Sequence, residues 1–336
     1  MTVNPNLVPK VKLADGTLVP AVGLGTFASD NYTADVVAEA VGGALRAGYR
    51  FIDCAAVYGN EAEIGEVLQG VFAEGEIKRE DLFISSKVWN NMHGKGDVLL
   101  ACAKTLRDLQ IDQLDIYFLH WPFPNYHAPG CDGDSRNPDS KPFTVERFMA
   151  TWRQLEKLVD MGLTKRLGMS NMTIPKLEAV LPLCRIKPAM IQMELHPSFQ
   201  QEELYKYCME KGIQVIGFSP LGSPKRPERD RFDDDVADLE MPELVKIAEA
   251  HGVHPAAICL KWAVQRGEVV IPFSVREKNY VSNLSCVTED PLTEEEMEIM
   301  KTLERNCRLV KGQVFLWPEA GDDWKLLWDL DGKIAE

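Results

Sequence analysis

Ala34–Asp53 reads ADVVAEAVGGALRAGYRFID, and its two halves follow different periods. In the first, Val37, Ala40, Val41, Ala44 and Leu45 form one stripe at three-and-four spacing, the face a helix lays on a sheet. Gly48 stops that helix, because a C-terminus commonly closes on a left-handed residue that glycine adopts without strain. In the second half, Tyr49–Asp53 is a short β-rich run ending on a carboxylate. A helix passing directly into a buried strand is one joint of a βα repeat, so the question becomes how often the joint recurs.

It recurs along most of the chain. Candidate strands are Ala21–Gly25, Tyr49–Asp53, Leu82–Lys87, Leu114–His120, Thr164–Met169, Ala189–Gln192, Gln214–Ser219 and Val269–Pro272. The helical runs between and after them are Ala34–Ala47, Ala62–Gly70, Gly96–Leu109, Val145–Met161, Ile174–Leu181, Gln200–Glu210, Pro242–Ala250 with Pro255–Gln265, and Glu277–Leu284. Thr144 caps one of them, and Gly162 and Gly212 close two others. Right-handed crossovers make such strands parallel, and eight of them close without a free edge. The expected fold is α/β, a (β/α)8 TIM barrel. Ahead of it, Val11–Leu13 and Leu18–Pro20 flank Asp15-Gly16 as a β-hairpin. A further helix follows Pro291. Pro122–Pro142 and Pro220–Glu240 are long loops, and both follow strands, so both belong to the C-terminal face where barrel enzymes keep their sites. Residues 1–336 read as a single domain in which 307–336 form a tail bearing Phe315, Trp317, Trp324 and Trp328. That much aromatic surface needs something to cover. The barrel mouth is the expected place, and the outer wall is the blander alternative.

Composition narrows the function. With 336 residues, 45% hydrophobic and 26% charged, the chain is no disulfide scaffold, coil or low-complexity segment. Its formal charge of -14 argues against nucleic-acid binding. No apolar run is long enough to span a membrane, and the first twenty residues lack a signal-peptide core, so a cytoplasmic protein is expected. Eight scattered cysteines without a CxxC read as reduced, buried thiols. The six histidines make no zinc pattern, and no metal is expected.

Asp53, Lys87 and His120 each end a hydrophobic strand, the point facing a barrel's upper mouth. Three strands would thus bring a carboxylate, an ammonium and an imidazole together, and Tyr58, from the loop after Asp53, reaches over them. A phenol beside a cation can donate its proton more easily, with Lys87 lowering its pKa and Asp53 fixing Lys87. A neutral His120 would orient a substrate oxygen. Taken singly, each residue has a structural reading: a buried ion pair, a satisfied core histidine, a packed loop tyrosine. Together they suit proton donation to a carbonyl that accepts hydride, which requires a nicotinamide cofactor. The alternative, Lys87 as a Schiff-base lysine, demands a depressed lysine pKa that an adjacent Asp53 opposes.

The sequence closely resembles the aldo-keto reductase family, its sugar-aldehyde and uronate reductases in particular, from Leu13 to about Asn306. The motifs are VGLGTF (Val22–Phe27), GYRFIDCAAVYGNEAEIG (Gly48–Gly65), FISSKVWN (Phe83–Asn90), LDIYFLHWP (Leu114–Pro122), GMSNM (Gly168–Met172), QMELHP (Gln192–Pro197), FSPLGS (Phe218–Ser223) and VIPFS (Val270–Ser274). The resemblance places the catalytic tetrad on Asp53, Tyr58, Lys87 and His120. It implies that Ser170, Asn171 and Gln192 hold the carboxamide and that Phe218 stacks on the nicotinamide. Ser219, Leu221 and Ser223 correspond to the loop over the pyrophosphate, and Ser274 and Asn283 to the adenosine end. The family has no Rossmann fold, so the missing GxGxxG carries no weight.

Where NADPH-preferring relatives usually carry Lys and Arg, this chain has Phe273 and Asn279, which removes two cations from the 2′-phosphate region; Arg276 is the candidate substitute. Ala28 and Lys225 replace residues of the usual ionic latch. The expected cofactors are therefore NADPH and also NADH, with faster release than from latched relatives. For a small carbonyl substrate, the resemblance points to Phe27, Val57, Trp89 and Trp121, with Asn90, Asn125 and His127 as further polar contacts and Arg308 or Lys311 as carboxylate partners. The expected substrates are an aldose, glyceraldehyde or a uronate such as D-galacturonate. Alternatives are a broad-scope alcohol or ketone reductase and, without catalysis, a protein similar to the channel β-subunits. A monomer or weak homodimer is expected, since no helix carries a second apolar stripe.

Overall fold

The computed structural model describes residues 2–28, 31–127, 135–224, 226 and 228–335. A hairpin, β1 (Lys10–Lys12) and β2 (Leu18–Pro20), precedes an eight-stranded parallel sheet. That sheet comprises β3 (Leu24–Gly25), β4 (Phe51–Asp53), β5 (Phe83–Val88), β6 (Ile116–Leu119), β7 (Leu167–Ser170), β8 (Met190–Glu194), β9 (Gln214–Phe218) and β10 (Val269–Val270), neighbours in sequence order. A parallel bridge between Val22 and Val270, with Gly23 N donating to Val270 O at 2.8 Å and Gly25 N to Pro272 O at 3.1 Å, joins first strand to last. The sheet closes into the (β/α)8 barrel.

Ten α-helices lie among the described residues: α1 (Ala34–Ala47), α2 (Glu61–Ala73), α3 (Asp97–Asp108), α4 (Val145–Asp160), α5 (Ile174–Val180), α6 (Glu202–Glu210), α7 (Pro242–His251), α8 (Pro255–Arg266), α9 (Glu277–Ser285) and α10 (Glu294–Lys301). The stripe expected on α1 is the buried face, and Thr144 caps α4 by accepting from Arg147 N at 3.3 Å. α10 opens with a reciprocal capping box between Thr293 and Glu296. Most ends lie within a residue or three of the expected ones. The first and last barrel strands are shorter than expected, two residues each, because their remaining residues make single bonds across the closure rather than a full ladder. No helix among the described residues is long and apolar enough to cross a membrane.

Alternation along each strand separates two interiors. Phe51, Phe83, Ile116, Phe118, Met190, Ile216 and Val269 point inward and form a closed core with Leu13 and Val19, so the hairpin plugs the N-terminal end. The next inward positions are Asp53, Ser85 and Lys87, His120, Ser170, Gln192 and Glu194, and Phe218. Within one interior, apolar residues give way to polar ones toward the C-terminal ends.

The tail forms three short 3-10 turns, Gln313–Phe315, Pro318–Ala320 and Trp324–Trp328. The tail crosses the C-terminal face, where Phe315 packs on Trp121 at 4.6 Å and Trp89 at 5.9 Å, and Trp328 lies 5.6 Å from Trp121. Seven cysteines are free thiols, five of them buried; Cys131 lies outside the described residues.

Candidate active site

Lys87 anchors the site. At the upper inner position of β5 it is fully buried, and its ammonium donates to Asp53 Oδ2 at 2.6 Å, Cys54 O at 2.8 Å and the Tyr58 hydroxyl at 3.4 Å. Asp53 is equally enclosed and also accepts from Ser85 Oγ at 2.7 Å and Gln192 Nε2 at 3.0 Å. Such a charge is tolerable only when its oxygens are saturated, and here β5 and β8 supply the donors. Burial alone would depress the Lys87 pKa; Asp53 reverses this and leaves it raised. A depressed lysine, the condition for Schiff-base chemistry, is absent.

Tyr58 leans over this pair from a 3-10 turn, Ala56–Tyr58, with Lys87 Nζ 5.0 Å from its ring centre. Its ring meets His120 edge-on at 5.9 Å and Phe27 at 5.2 Å. One expectation needs correction: burial raises the Tyr58 pKa above that of an ordinary phenol, and the pull of Lys87 reduces that rise without reversing it. Lys87 therefore matters less as a switch that ionises Tyr58 in the resting protein than as a charge waiting for a phenolate. Burial, then Lys87, holds the His120 pKa well below the ordinary histidine value, so the imidazole is neutral at pH 7.

The expected carboxamide-binding residues line the adjoining strand ends. Ser170 Oγ and Asn171 Oδ1 are buried without a protein partner, while Asn171 Nδ2 donates to His120 O at 2.9 Å. Orphaned acceptors are costly unless a ligand satisfies them, and these two are of the right chemistry for an amide. Asn171 has φ 57°, and after β9 Ser219 has φ 54° and Ser223 φ 40°. Left-handed backbone at non-glycine residues is strain of the kind concentrated at ligand sites. Ser223 Oγ donates to Ser219 Oγ at 2.7 Å, and Phe218 and Leu221 are part-buried beside them. At the expected adenosine end, Ser274 Oγ accepts from Arg276 N at 3.1 Å ahead of α9, Asn283 is buried, and Arg276 and Asn279 are exposed. Phe273 meets Tyr32 edge-on at 6.3 Å. Of the two latch positions, Ala28 is buried and Lys225 lies outside the described residues.

Around the tetrad, Phe27 and Val57 are exposed on the rim, Trp89 lies against His120 at 5.1 Å, and Trp121 is buried under the tail. His127 packs on Phe315 at 6.0 Å, and Asn90 donates to Asn125 O. Asn125 in turn donates to Lys141 O and Phe315 O, each at 2.9 Å, joining a long loop to the tail. Arg308 and Lys311, expected as carboxylate partners, are both buried and make contacts within the protein, with Arg308 Nη1 left without a hydrogen-bond partner. The Arg308 guanidinium stacks 3.5 Å from the Trp328 ring centre and 4.5 Å from Phe199, and burial brings its pKa down to about 10. Lys311 reaches Asp234 at 3.3 Å across the Phe232 ring. Aromatic faces are good seats for cations, and both were close at hand.

The residue model of the aldo/keto reductase family matches residues 21–305. The chain belongs to the aldo/keto reductase family. An aldo/keto reductase from Synechocystis sp. is 41% identical over 317 residues, 94% of this chain and 95% of that protein. Among solved structures, the aldose reductase of Schistosoma japonicum superposes with a TM-score of 0.79 at 35% identity, covering 91% of this chain and 96% of its own. An aldo-keto reductase from Bombyx mori, solved in complex with NADP, also gives 0.79, at 28% identity over 92% and 96%. This aldo/keto reductase is accordingly an NAD(P)H-dependent oxidoreductase whose substrate is a small carbonyl compound.

The structure brings Asp53, Tyr58, Lys87 and His120 together, and beside them stand Ser85 and Glu194, inward residues of β5 and β8 that strand ends alone do not single out. The signal was present, since a polar residue two places from a known inward position faces inward too.

Proposed function

We propose that this reductase converts aldehydes to primary alcohols with NADPH and also with NADH. The observation that supports this most is the position of Lys87 Nζ, 2.6 Å from Asp53 and 3.4 Å from the Tyr58 hydroxyl. When bound, the dinucleotide supplies the hydride. Ser170, Asn171 and Gln192 would hold its carboxamide, Phe218 its ring, Ser219, Leu221 and Ser223 its pyrophosphate, and Ser274, Arg276 and Asn283 its adenosine end. Tyr58 donates the proton to the substrate oxygen, and the phenolate so formed is stabilised by the Lys87 ammonium, which Asp53 keeps charged. Neutral His120 offers an N–H to the same oxygen and orients it.

Phe27, Val57, Trp89 and Phe315 make the surroundings largely apolar, Lys311 is paired with Asp234, and Arg308 is enclosed between the Trp328 and Phe199 rings with its Nη1 left without a hydrogen-bond partner. Aldoses and glyceraldehyde therefore suit this site better than a uronate, and the aromatic rim favours a second reading, a broad reductase that also accepts aromatic aldehydes. Initial rates with both cofactors on xylose, glyceraldehyde, galacturonate and an aromatic aldehyde decide between them. A uronate strongly preferred over the neutral sugars would defeat the first reading. Dual cofactor use fails if NADPH is preferred more than ~100-fold, which requires ~2.7 kcal/mol of discrimination.

A further inference from the structure

At the top of β8 a second cluster of buried charges stands apart from the tetrad. Glu194, His196 and Asp238 are each no more than 1% exposed. His196 Nε2 lies 3.0 Å from Glu194 Oε1, and its Nδ1 lies 2.7 Å from Asp238 Oδ2 and 3.2 Å from Ser198 Oγ. A charged ring suits both carboxylates: its Nε2 makes a hydrogen bond to Glu194, while its Nδ1 lies at ion-pair distance from Asp238, whose two oxygens have no hydrogen-bond partner among the described residues. Without it the protein would enclose two facing anions, with the stacked Arg308 the cation nearest to Glu194.

Both carboxylates continue outward. Glu194 accepts from Leu309 N at 2.7 Å and from Val310 N at 2.9 Å, fixing the start of the tail. Asp238 belongs to a 3-10 turn, Asp238–Glu240, at the end of the long loop after β9, and lies directly under Gly222. A Cβ on Gly222 would be 2.9 Å from the Asp238 carboxyl carbon, and its φ of 67° is a left-handed one. Asp238 and the turn Leu221–Ser223 are therefore in contact with no intervening layer. The same loop meets the tail twice more, through Lys311 with Asp234 and through Val236 N donating to Cys307 Sγ at 3.3 Å.

We propose that Glu194, His196 and Asp238 are positioning residues that couple the loop over the dinucleotide to the tail over the substrate mouth, so that cofactor release and substrate affinity are set together. The proposal rests on the reading that Ser219–Ser223 covers the pyrophosphate. In a coupled pair, each ligand changes the other's affinity by one shared factor. Binding of the dinucleotide under Gly222 holds Asp238, which holds His196 and Glu194, which holds Leu309 and Val310 and, farther along, Phe315.

The test crosses the two sides. Asp238→Asn is made on the loop side of His196 and Glu194→Gln on the tail side, and His196→Gln breaks the middle. Asp238→Asn is expected to raise the KM for the aldehyde, and Glu194→Gln to speed NADPH release in stopped-flow fluorescence, each by about 5-fold or more. If each variant affects only its own side, the groups are local packing and the proposal falls. Should the variants fail to fold, amide hydrogen exchange on the wild-type protein gives the same answer. NADPH should slow exchange at Leu221–Ser223 and also at Leu309 and Val310. Protection of the loop without the tail overturns the coupling, whereas no protection of the loop overturns the reading of the pyrophosphate site.

Discussion

Asp53 is saturated: Lys87, Ser85 and Gln192 all donate to its two oxygens. An amide in its place cannot accept from all three without turning an N–H toward one of them. Asp53→Asn should therefore cost about 3–5 kcal/mol of stability, as loss of one member of a buried ion pair does. It should also let the Lys87 pKa fall, because the partner holding it up has gone. The alkaline limb of the rate profile would then move to lower pH, whereas a purely structural Asp53 would lower the melting point and leave the profile in place. Tyr58→Phe tests the neighbouring role. It should reduce aldehyde turnover by about 10²–10⁴-fold, the share general acid catalysis commonly supplies, while NADPH still quenches protein fluorescence with nearly unchanged affinity. Preserved turnover would remove Tyr58 from the mechanism.

Between elements, the bridge from β8 through His196 to the Asp238 turn makes stability depend on pH. Burial opposes the charged ring, but Asp238 and Glu194 overcome it and raise the His196 pKa to about 9 from an unfolded value near 6.5. Ser198 Oγ faces the ring as well, Arg308 is near Glu194, and Cys259 and Cys307 face Asp238. A raised pKa means a contribution fully present below 6.5 and lost as pH rises through 9, worth up to about 3 kcal/mol. Glu194 is the converse: its pKa is lowered, and its contribution is lost on acidification. Urea denaturation between pH 6 and 10 should show wild-type stability declining more steeply than that of His196→Gln; parallel curves would exclude the bridge. Elements were also where the sequence was most readable. The α1 stripe, the Thr144 cap and the alternation that brings Asp53, Lys87 and His120 inward depend on neighbours a few residues away. The destinations of Arg308 and Lys311 do not, since they were decided by Trp328, Phe199 and Phe232, rings that only the folded tail and loops bring near. The direction of the Tyr58 pKa shift is hidden from the sequence for a related reason: the sequence shows which charge is near, but not how much water has been removed.

At the scale of the molecule, the tail is held to the barrel by a buried pair. Lys176 Nζ donates to Asp329 Oδ2 at 2.5 Å and to Leu327 O at 2.9 Å, and Trp328 Nε1 donates to Lys311 O at 2.8 Å. Arg136 adds a link on the surface to Asp322 at 2.9 Å. Asp329→Ala should cost about 3–5 kcal/mol by leaving Lys176 buried without a counter-charge, and Lys176→Met with Asp329→Leu should recover most of it. Equal losses in the single and double variants would show that the charge is not what matters. The closure between Val22 and Val270 has a consequence for how the chain is made. Residues that seal the barrel floor against Leu13 and Val19 include Val269 and Ile271, so the first segment synthesised waits for one of the last. Until then the growing sheet presents two unpaired edges and an uncovered apolar floor, the features that invite aggregation during slow, long-range folding. A chain halted short of Val269 on the ribosome would be a client for chaperones, however well its earlier helices and strands had formed.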